Sequence, residues 1–430
     1  MDDAVLFLAL TSGLILVTAI AYEPLQRSPL TEPLLAVAVG VVVGPHALHW
    51  MRPEDWEAPM ALVHQFMHPL LAVALMAAAL RLPHHYPVTA ARSQLLLVIG
   101  GLIAMTSISA ALFWAVLDLP VLPALALGAM VAPTDPVLAT TVVTGQVAER
   151  NVPARIRDLL TGESGANDGV ALPLLLLPLL LLQQGSGGWS EWARALLYEN
   201  VLAVLLGGAS GWIARRALHY GFEHHDVSSK AFLSYTLALT FFTLSTLDLL
   251  QMNGLIGVFA AGLTFNYGLG DREEATSERI QEAVERLFVV PGFVLFGILL
   301  PWADIVALGW RAALLAVAIL LLRRLPVLFL LRPFLPELRT HADSAFVGWF
   351  GPIGVAALYY ATDVHASLPD TPVWAAVSVA VLASVLAHGV TCFSLGNRYR
   401  AFNEGHGLTA SPSRGQAPCA AGGAARRTPP

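Results

Sequence analysis

Lysine is almost absent from this chain: Lys230 is the single one among 24 basic residues. Charged residues of both signs make up only 13% of the 430 positions, against 56% hydrophobic, which excludes an ordinary soluble domain. Cysteine is nearly as scarce, with two. Cys392 lies in an apolar run and Cys419 near the C-terminus, so neither a disulfide framework nor a zinc site is indicated. No basic stripe interleaves with aromatics, which argues against nucleic acid as a partner. No polar connection is long enough to hold a separate soluble domain. The formal net charge of −6 is scattered over loops and says little by itself.

What the chain does have is apolar runs long enough to cross a bilayer. Thirteen are counted, at roughly 4–22, 33–50, 66–81, 94–117, 121–145, 155–182, 196–218, 232–250, 252–269, 287–302, 306–331, 344–361 and 373–395. The eighth and ninth lie close together and admit another division. The first follows Met-Asp-Asp with no basic flank, so it reads as a span rather than a signal peptide. Basic residues test the count. With the N-terminus outside, one side receives Arg27, Arg81, Arg92, Arg150, Arg155, Arg157, Arg215, Arg216, Lys230, Arg272, Arg279, Arg286, Arg332, Arg339, Arg398 and Arg400, and the other only Arg52, Arg194 and Arg311. That bias makes the first side cytoplasmic. The preference for arginine points to GC-rich codons, and so to a multi-pass protein of a bacterial cell (inner) membrane with its C-terminus in the cytoplasm. Residues 1–400 form the membrane domain. The remainder, 401–430, is rich in Gly, Ala, Pro and Ser and reads as a disordered tail. The mixed charges of 271–287 fall at helical spacing and suggest a short surface helix.

Arg414, Arg426 and Arg427 lie further down the tail, which leaves Arg323 and Arg324 inside the eleventh run. These last two belong with the stretch TGESGANDG, Thr161–Gly169, which places Glu163, Asn167 and Asp168 at the start of a lipid-compatible sequence. A charge buried there costs from a few to more than ten kcal/mol, roughly, so something must offset it. On a helix Ser164 and Asp168 share one face, and Glu163 and Asn167 the neighbouring one about 100° around. The first face offers hard oxygen ligands of the kind alkali cations take. The second can reach a cation elsewhere in the bundle, with Arg324 the leading partner for Glu163. That pair reads either as a structural salt bridge or as part of the chemistry. Arg323 is expected to snorkel towards the interface.

The stretch GAMVAPTDPVLATTVV, Gly128–Val143, carries Pro133 and Pro136, each without an N–H and each clashing with a carbonyl one turn back. The helix should open there, leaving carbonyls around Ala129, Ala132 and Thr134 in want of a partner such as a cation or water. The alternative is a simple kink with Asp135 capping the second half-helix. Gly351-Pro352 and Gly354 mark a second interrupted helix in the twelfth run. An offset of seven runs means the two broken spans point in opposite directions, the sign of an inverted-repeat secondary transporter with a site near the midplane.

With these residues in view the sequence resembles the monovalent cation:proton antiporters of the NhaP and eukaryotic sodium–proton exchanger family. The resemblance rests on Thr134-Asp135-Pro136, Gly162-Glu163-Ser164, Asn167-Asp168-Gly169, Arg324 with Pro326-Val327, and His388-Gly389, in matching order over roughly 30–395. It implies an all-α membrane protein of about thirteen transmembrane helices, with inverted repeats, two discontinuous crossing helices, and separate core and dimerisation bundles working as a homodimer. It further implies cation ligands at Asp168, Ser164, Thr134 and Asp135, with Asn167 and Glu163 in the same cation- and proton-binding site. Arg324 would compensate charge, and no cofactor is implied. Two departures stand out. The third run, LLAVALMAAAL (70–80), lacks the carboxylate some members carry near the ion path. The twelfth run reads Gly351-Pro352-Ile353-Gly354 where many members have arginine third, as in fungal-type exchangers. His388 reads as a buried, hydrogen-bonded histidine or as a functional one.

The expected function is exchange of a monovalent cation, Na⁺ or Li⁺, for H⁺ by alternating access, with both ligands competing for Asp168 and no covalent chemistry. An intramembrane aspartyl protease would need Gly-x-Gly-Asp, whereas Asp135 lies in Thr-Asp-Pro. A carrier of organic solutes would want a larger polar pocket. A channel would have no need of a proton-competing carboxylate.

Overall fold

The computed structural model describes residues 3–83, 85–224, 229–267 and 286–407. The surface helix expected over 271–287 lies almost entirely outside them, as does the tail from residue 408. Every regular element among the described residues is helical. This is what lipid requires of a chain that is not a closed barrel, since a helix satisfies its backbone polar groups internally.

Each of the thirteen runs contains a helix or a broken pair. In chain order they are α1 (Asp3–Ile20), α2 (Glu32–Val43), α3 (Pro59–Arg81) and α4 (Ala91–Leu117). The fifth run is split into α5 (Val121–Val131) and α6 (Pro136–Val143), and α7 (Ala154–Gln184) follows. Next come α8 (Leu202–His224), α9 (Ser229–Leu249), α10 (Gly254–Asn266) and α11 (Arg286–Ile298). The eleventh run holds α12 (Trp310–Leu322) and α13 (Leu325–Leu331), the twelfth α14 (His341–Trp349) and α15 (Val355–Val364), and α16 (Val373–Gly405) ends the described chain. The last helix thus runs past position 400, where the sequence suggests the tail begins. Among the described residues seven helical stretches are long and apolar enough to cross a membrane, two of them containing a break, and an eighth is bent by 62° after Ile298.

Each break has a proline in it or within two residues of it, although Pro69 in α3 and Pro173 and Pro178 in α7 are carried without one. The expected openings in the fifth and twelfth runs are present at 132–135 and 350–354. A third, not expected, falls at Arg323-Arg324, where Pro326 cannot donate to the preceding turn.

The helices sort into two groups. α4 to α7 and α12 to α16 pack around the breaks, while α3 packs with α9 and α10, and α8 with α9 and α10. α2 and α11 join α3, since a methyl group on Gly292 of α11 would meet Leu70 of α3 and one on Gly297 would meet Val37 of α2. Close approach holds the second group together: a methyl group on Gly207 of α8 would run into the Gly257 carbonyl of α10. Without a hydrophobic force between helices in lipid, such small-residue contacts supply the attraction. α3 also lies against α7 and α15, so one seam runs between the groups. The third run's LLAVALMAAAL is buried throughout, an apolar wall without a carboxylate.

At one end of this seam a cavity opens, lined by Tyr22, Glu32 and Arg286 from one side and Thr140, Thr144 and Cys392 from the other.

Candidate functional site at the crossing of the broken helices

The two breaks touch. The Asp135 backbone N–H donates to the Pro352 carbonyl at 2.8 Å. Asp135 Oδ1 accepts from the N–H groups of Val137 (2.6 Å) and Leu138 (3.2 Å), the first turn of α6. Its Oδ2 accepts from the Val355 N–H, the first turn of α15. One carboxylate therefore caps two half-helices, satisfying orphan donors and facing both positive dipole ends. The sequence left this residue between a cation ligand and a cap. In the structure it is a double cap.

The opposite ends of the half-helices have their own partner. Arg323 Nη1 donates to the carbonyls of Val131 (2.6 Å), Ala132 (2.8 Å) and Pro133 (2.9 Å), and Nη2 donates to the Gly351 carbonyl. The side chain is 3% exposed, so the expectation that it snorkels is corrected. Four carbonyls freed by the breaks, at the negative ends of α5 and α14, hold the guanidinium in place of interfacial water. The signal was in the sequence. Two broken helices have two carboxyl ends, and the twelfth run has Ile353 where a local arginine would sit.

Arg324 goes elsewhere. Its guanidinium meets Glu163 with two parallel bonds, Nη2 to Oε2 at 2.8 Å and Nη1 to Oε1, and Nε donates to the Val347 carbonyl at 3.0 Å. Both side chains are fully buried. The planar fork matches a carboxylate in two-point geometry, which lysine lacks. The helical spacing is thereby realised: Glu163 turns to Arg324, and Asn167, four residues on, turns to the first break. Asn167 Nδ2 donates to Thr134 Oγ1 at 2.9 Å, and its Oδ1 accepts from the Thr134 N–H at 3.3 Å.

Ser164 and Asp168 occupy the other face of α7. Ser164 Oγ donates to the Leu160 carbonyl at 2.5 Å, which leaves its lone pairs available. Asp168 is 0% exposed, and neither carboxyl oxygen has a hydrogen-bond partner. Among the described residues it is the one carboxylate buried in this condition. Its backbone is nonetheless pinned. Tyr360 donates its hydroxyl to the Asp168 carbonyl at 2.6 Å, and Asn253 Nδ2 donates to the Gly169 carbonyl at 2.9 Å. Tyr360 and Asn253 were not singled out in the sequence, because their runs show only apolar periodicity and a turn.

His388 takes the structural option. Nε2 lies 2.7 Å from the Trp349 carbonyl at the end of α14, and Nδ1 lies 3.0 Å from Ser384 Oγ, which accepts the Ile353 N–H at 2.7 Å.

Two opposed broken helices, closed by one acid at their positive ends and one base at their negative ends, are now joined by the result of sequence comparison. The family model described as "Sodium/hydrogen exchanger, transmembrane" matches residues 12–398. This chain belongs to the sodium/hydrogen exchanger family. Na(+)/H(+) antiporter 2 of Zygosaccharomyces rouxii is 30% identical over 391 residues, covering 83% of this chain and 48% of that protein. The Na(+)/H(+) antiporter of Saccharomyces cerevisiae is 29% identical over 350 residues, covering 79% and 35%. A Na(+)/H(+) antiporter of Schizosaccharomyces pombe is 26% identical over 387 residues, covering 83% and 82%. The chain thus spans about half or less of the length of the first two. The solved structure of the sodium proton antiporter MjNhaP1 from Methanocaldococcus jannaschii superposes with a TM-score of 0.71 at 18% identity, covering 91% of this chain and 96% of that one. It shares the fold.

In this chain the crossing tolerates no extra atom at Gly354, since a methyl group there would collide with Asp135 Oδ2. Gly354→Ala is expected to push Asp135 off the Val355 N–H and to lower both the unfolding temperature in detergent and transport. Unchanged values for both would mean the double cap does not hold the crossing.

Proposed function

We propose that the protein exchanges a monovalent cation, Na⁺ or Li⁺, for H⁺ across the cell membrane, one for one. The observation that carries this reading is Asp168, an unpartnered carboxylate sealed among polar groups that have found their partners. A carboxylate in that position needs a ligand, and a proton or a metal cation each answers the need. Ser164 Oγ, four residues away on the same helical face, and the oxygens at the Thr134 break are the further donors a cation would use. Asp135 contributes fixed negative charge to the crossing, Arg323 fixed positive charge, and Glu163 is tied to Arg324. Asn167 has nothing to ionise. Asp168 alone is left to change ligands.

The twelfth and fifth runs supply the broken helices of two inverted repeats, and the first helix group is the moving core. The other group faces a second copy in a homodimer, with lipid around both. The charge bias sets the N-terminus outside and the C-terminus in the cytoplasm, which places the seam's open cavity on the cytoplasmic side. Movement of the core along the seam would then carry Asp168 from one face to the other. Residues 1–400 act as the transport unit and the tail beyond follows as a separate segment.

Since one unit charge moves each way, membrane potential does no work on the cycle. An uncompensated charge would be worth about 2.3 kcal/mol per 100 mV. In sealed vesicles, added Na⁺ or Li⁺ is expected to drive protons the opposite way. A clamped potassium diffusion potential should leave the final cation gradient unchanged at fixed ΔpH. Cation entry without proton movement would point to a channel. A gradient that follows the voltage would mean a second titrating group, Glu163 first.

A further inference from the structure

The seam between the two helix groups is open at one end and plugged at the other. At the plugged end Tyr359 of α15 lies against two histidines of α3, whose own rings are 6.2 Å apart, so the three rings form a triangle. Its ring stacks on His64 at 4.7 Å between centroids and 27° between planes, and on His68 at 5.0 Å and 11°. Each histidine also faces an acid. His64 Nε2 lies 3.9 Å from Asp363 Oδ1 of α15, and His68 Nδ1 lies 3.8 Å from Asp248 Oδ2 of α9. These five residues come from both sides of the seam. Tyr359 and Asp363 belong to the group that carries the crossing, and His64, His68 and Asp248 to the other. The neighbouring residue Tyr360 is the one whose hydroxyl holds the Asp168 carbonyl. A displacement of α15 therefore moves the stack and the site together.

We propose that Tyr359, packed on His64 and His68, is the plug of an outer gate. The inference rests on the exchange reading and on the orientation the charge bias gives, which puts this end of the seam outside. The chemistry suits a contact made and broken in every cycle. Stacked rings separate without stranding a buried charge. The flanking acids are at the water's edge, with the Asp363 side chain 56% exposed, so each remains solvated when its histidine leaves. A buried salt bridge such as Glu163–Arg324 would be ill suited to the task, since parting it strands both charges. Among the described residues the cytoplasmic end has no matching stack. There Arg286 lies over the Tyr22 ring and beside Glu32 at 3.5 Å, all on the same side of the open cavity.

The test uses the full chain in vesicles, with Cys392 and Cys419 replaced by serine. His64→Cys with Asp363→Cys spans the seam, whereas His68→Cys with Asp248→Cys joins α3 to α9 within one group. Each pair is linked with a short bis-methanethiosulfonate and compared with the same protein after dithiothreitol. Linking across the seam is expected to reduce exchange to the level of empty vesicles, reversibly, and linking within the group to leave it unchanged. Equal exchange by the linked and reduced seam-spanning protein overturns the gate. The unmodified protein in the same vesicles judges the exchange reading by itself, since the gate is assessed only by linked against reduced. Should the reduced variant not exchange, labelling decides. Ser164→Cys should react with an impermeant charged methanethiosulfonate from outside several-fold faster when Tyr359→Ala is also present. Equal labelling with and without Tyr359 overturns the proposal.

Discussion

Asp168→Asn is expected to bring cation-driven proton movement down to that of empty vesicles, while the purified protein keeps its helical content and its unfolding temperature. The substitution preserves shape and removes the one property the cycle uses, since an amide neither releases a proton nor carries charge. No ion pair is broken, because neither oxygen of Asp168 has a hydrogen-bond partner. The Tyr360 bond that positions α7 goes to the backbone carbonyl and survives. Ser164→Ala should weaken cation binding in the same direction but to a smaller degree, as the other oxygen donors remain. Wild-type exchange by Asp168→Asn would remove Asp168 from the centre of the account.

Glu163→Gln and Arg324→Ala are expected to act first on stability. Each leaves a fully buried charge without its partner, at roughly 3–5 kcal/mol. Arg324→Ala also vacates the space that makes Gly351 obligatory, since a methyl group at 351 would meet the Arg324 side chain. Both variants should unfold at a clearly lower temperature in detergent. Replacing both residues by leucine should cost less than the sum of the two single changes, because the residues interact directly. Loss of transport in both singles with unchanged unfolding temperature would instead place the pair in the transport chemistry.

How far the sequence foretold this depends on which force was at work. The helix positions were legible because lipid leaves the chain little choice, and apolar runs can be counted. The breaks at 132–135 and 350–354 were legible because proline lacks a donor, which is a local fact. Glu163 facing Arg324, and Asn167 lying beside it, followed from helical spacing once the arginine was known to sit at depth. Arg323 was misread because its partners are backbone carbonyls, which the prolines of the two breaks announce without saying which side chain will meet them. The double cap by Asp135 was half legible. Asp-Pro announces a helix start at α6, but nothing in the sequence says that α15 begins at the same carboxylate. Tyr360, Asn253 and the Tyr359 stack were out of reach because they depend on which helices become neighbours. A tyrosine in an apolar run looks the same in a gate as in a core.

The most direct measurement of the central claim is proton release on cation binding. Purified protein in weakly buffered detergent solution is titrated with Na⁺ or Li⁺ near neutral pH, and released protons are counted against bound cation. If one carboxylate serves both ligands, each cation bound should displace one proton, and Asp168→Asn should release none. Saturable cation binding with no proton released, or equal release by Asp168→Asn, would contradict it.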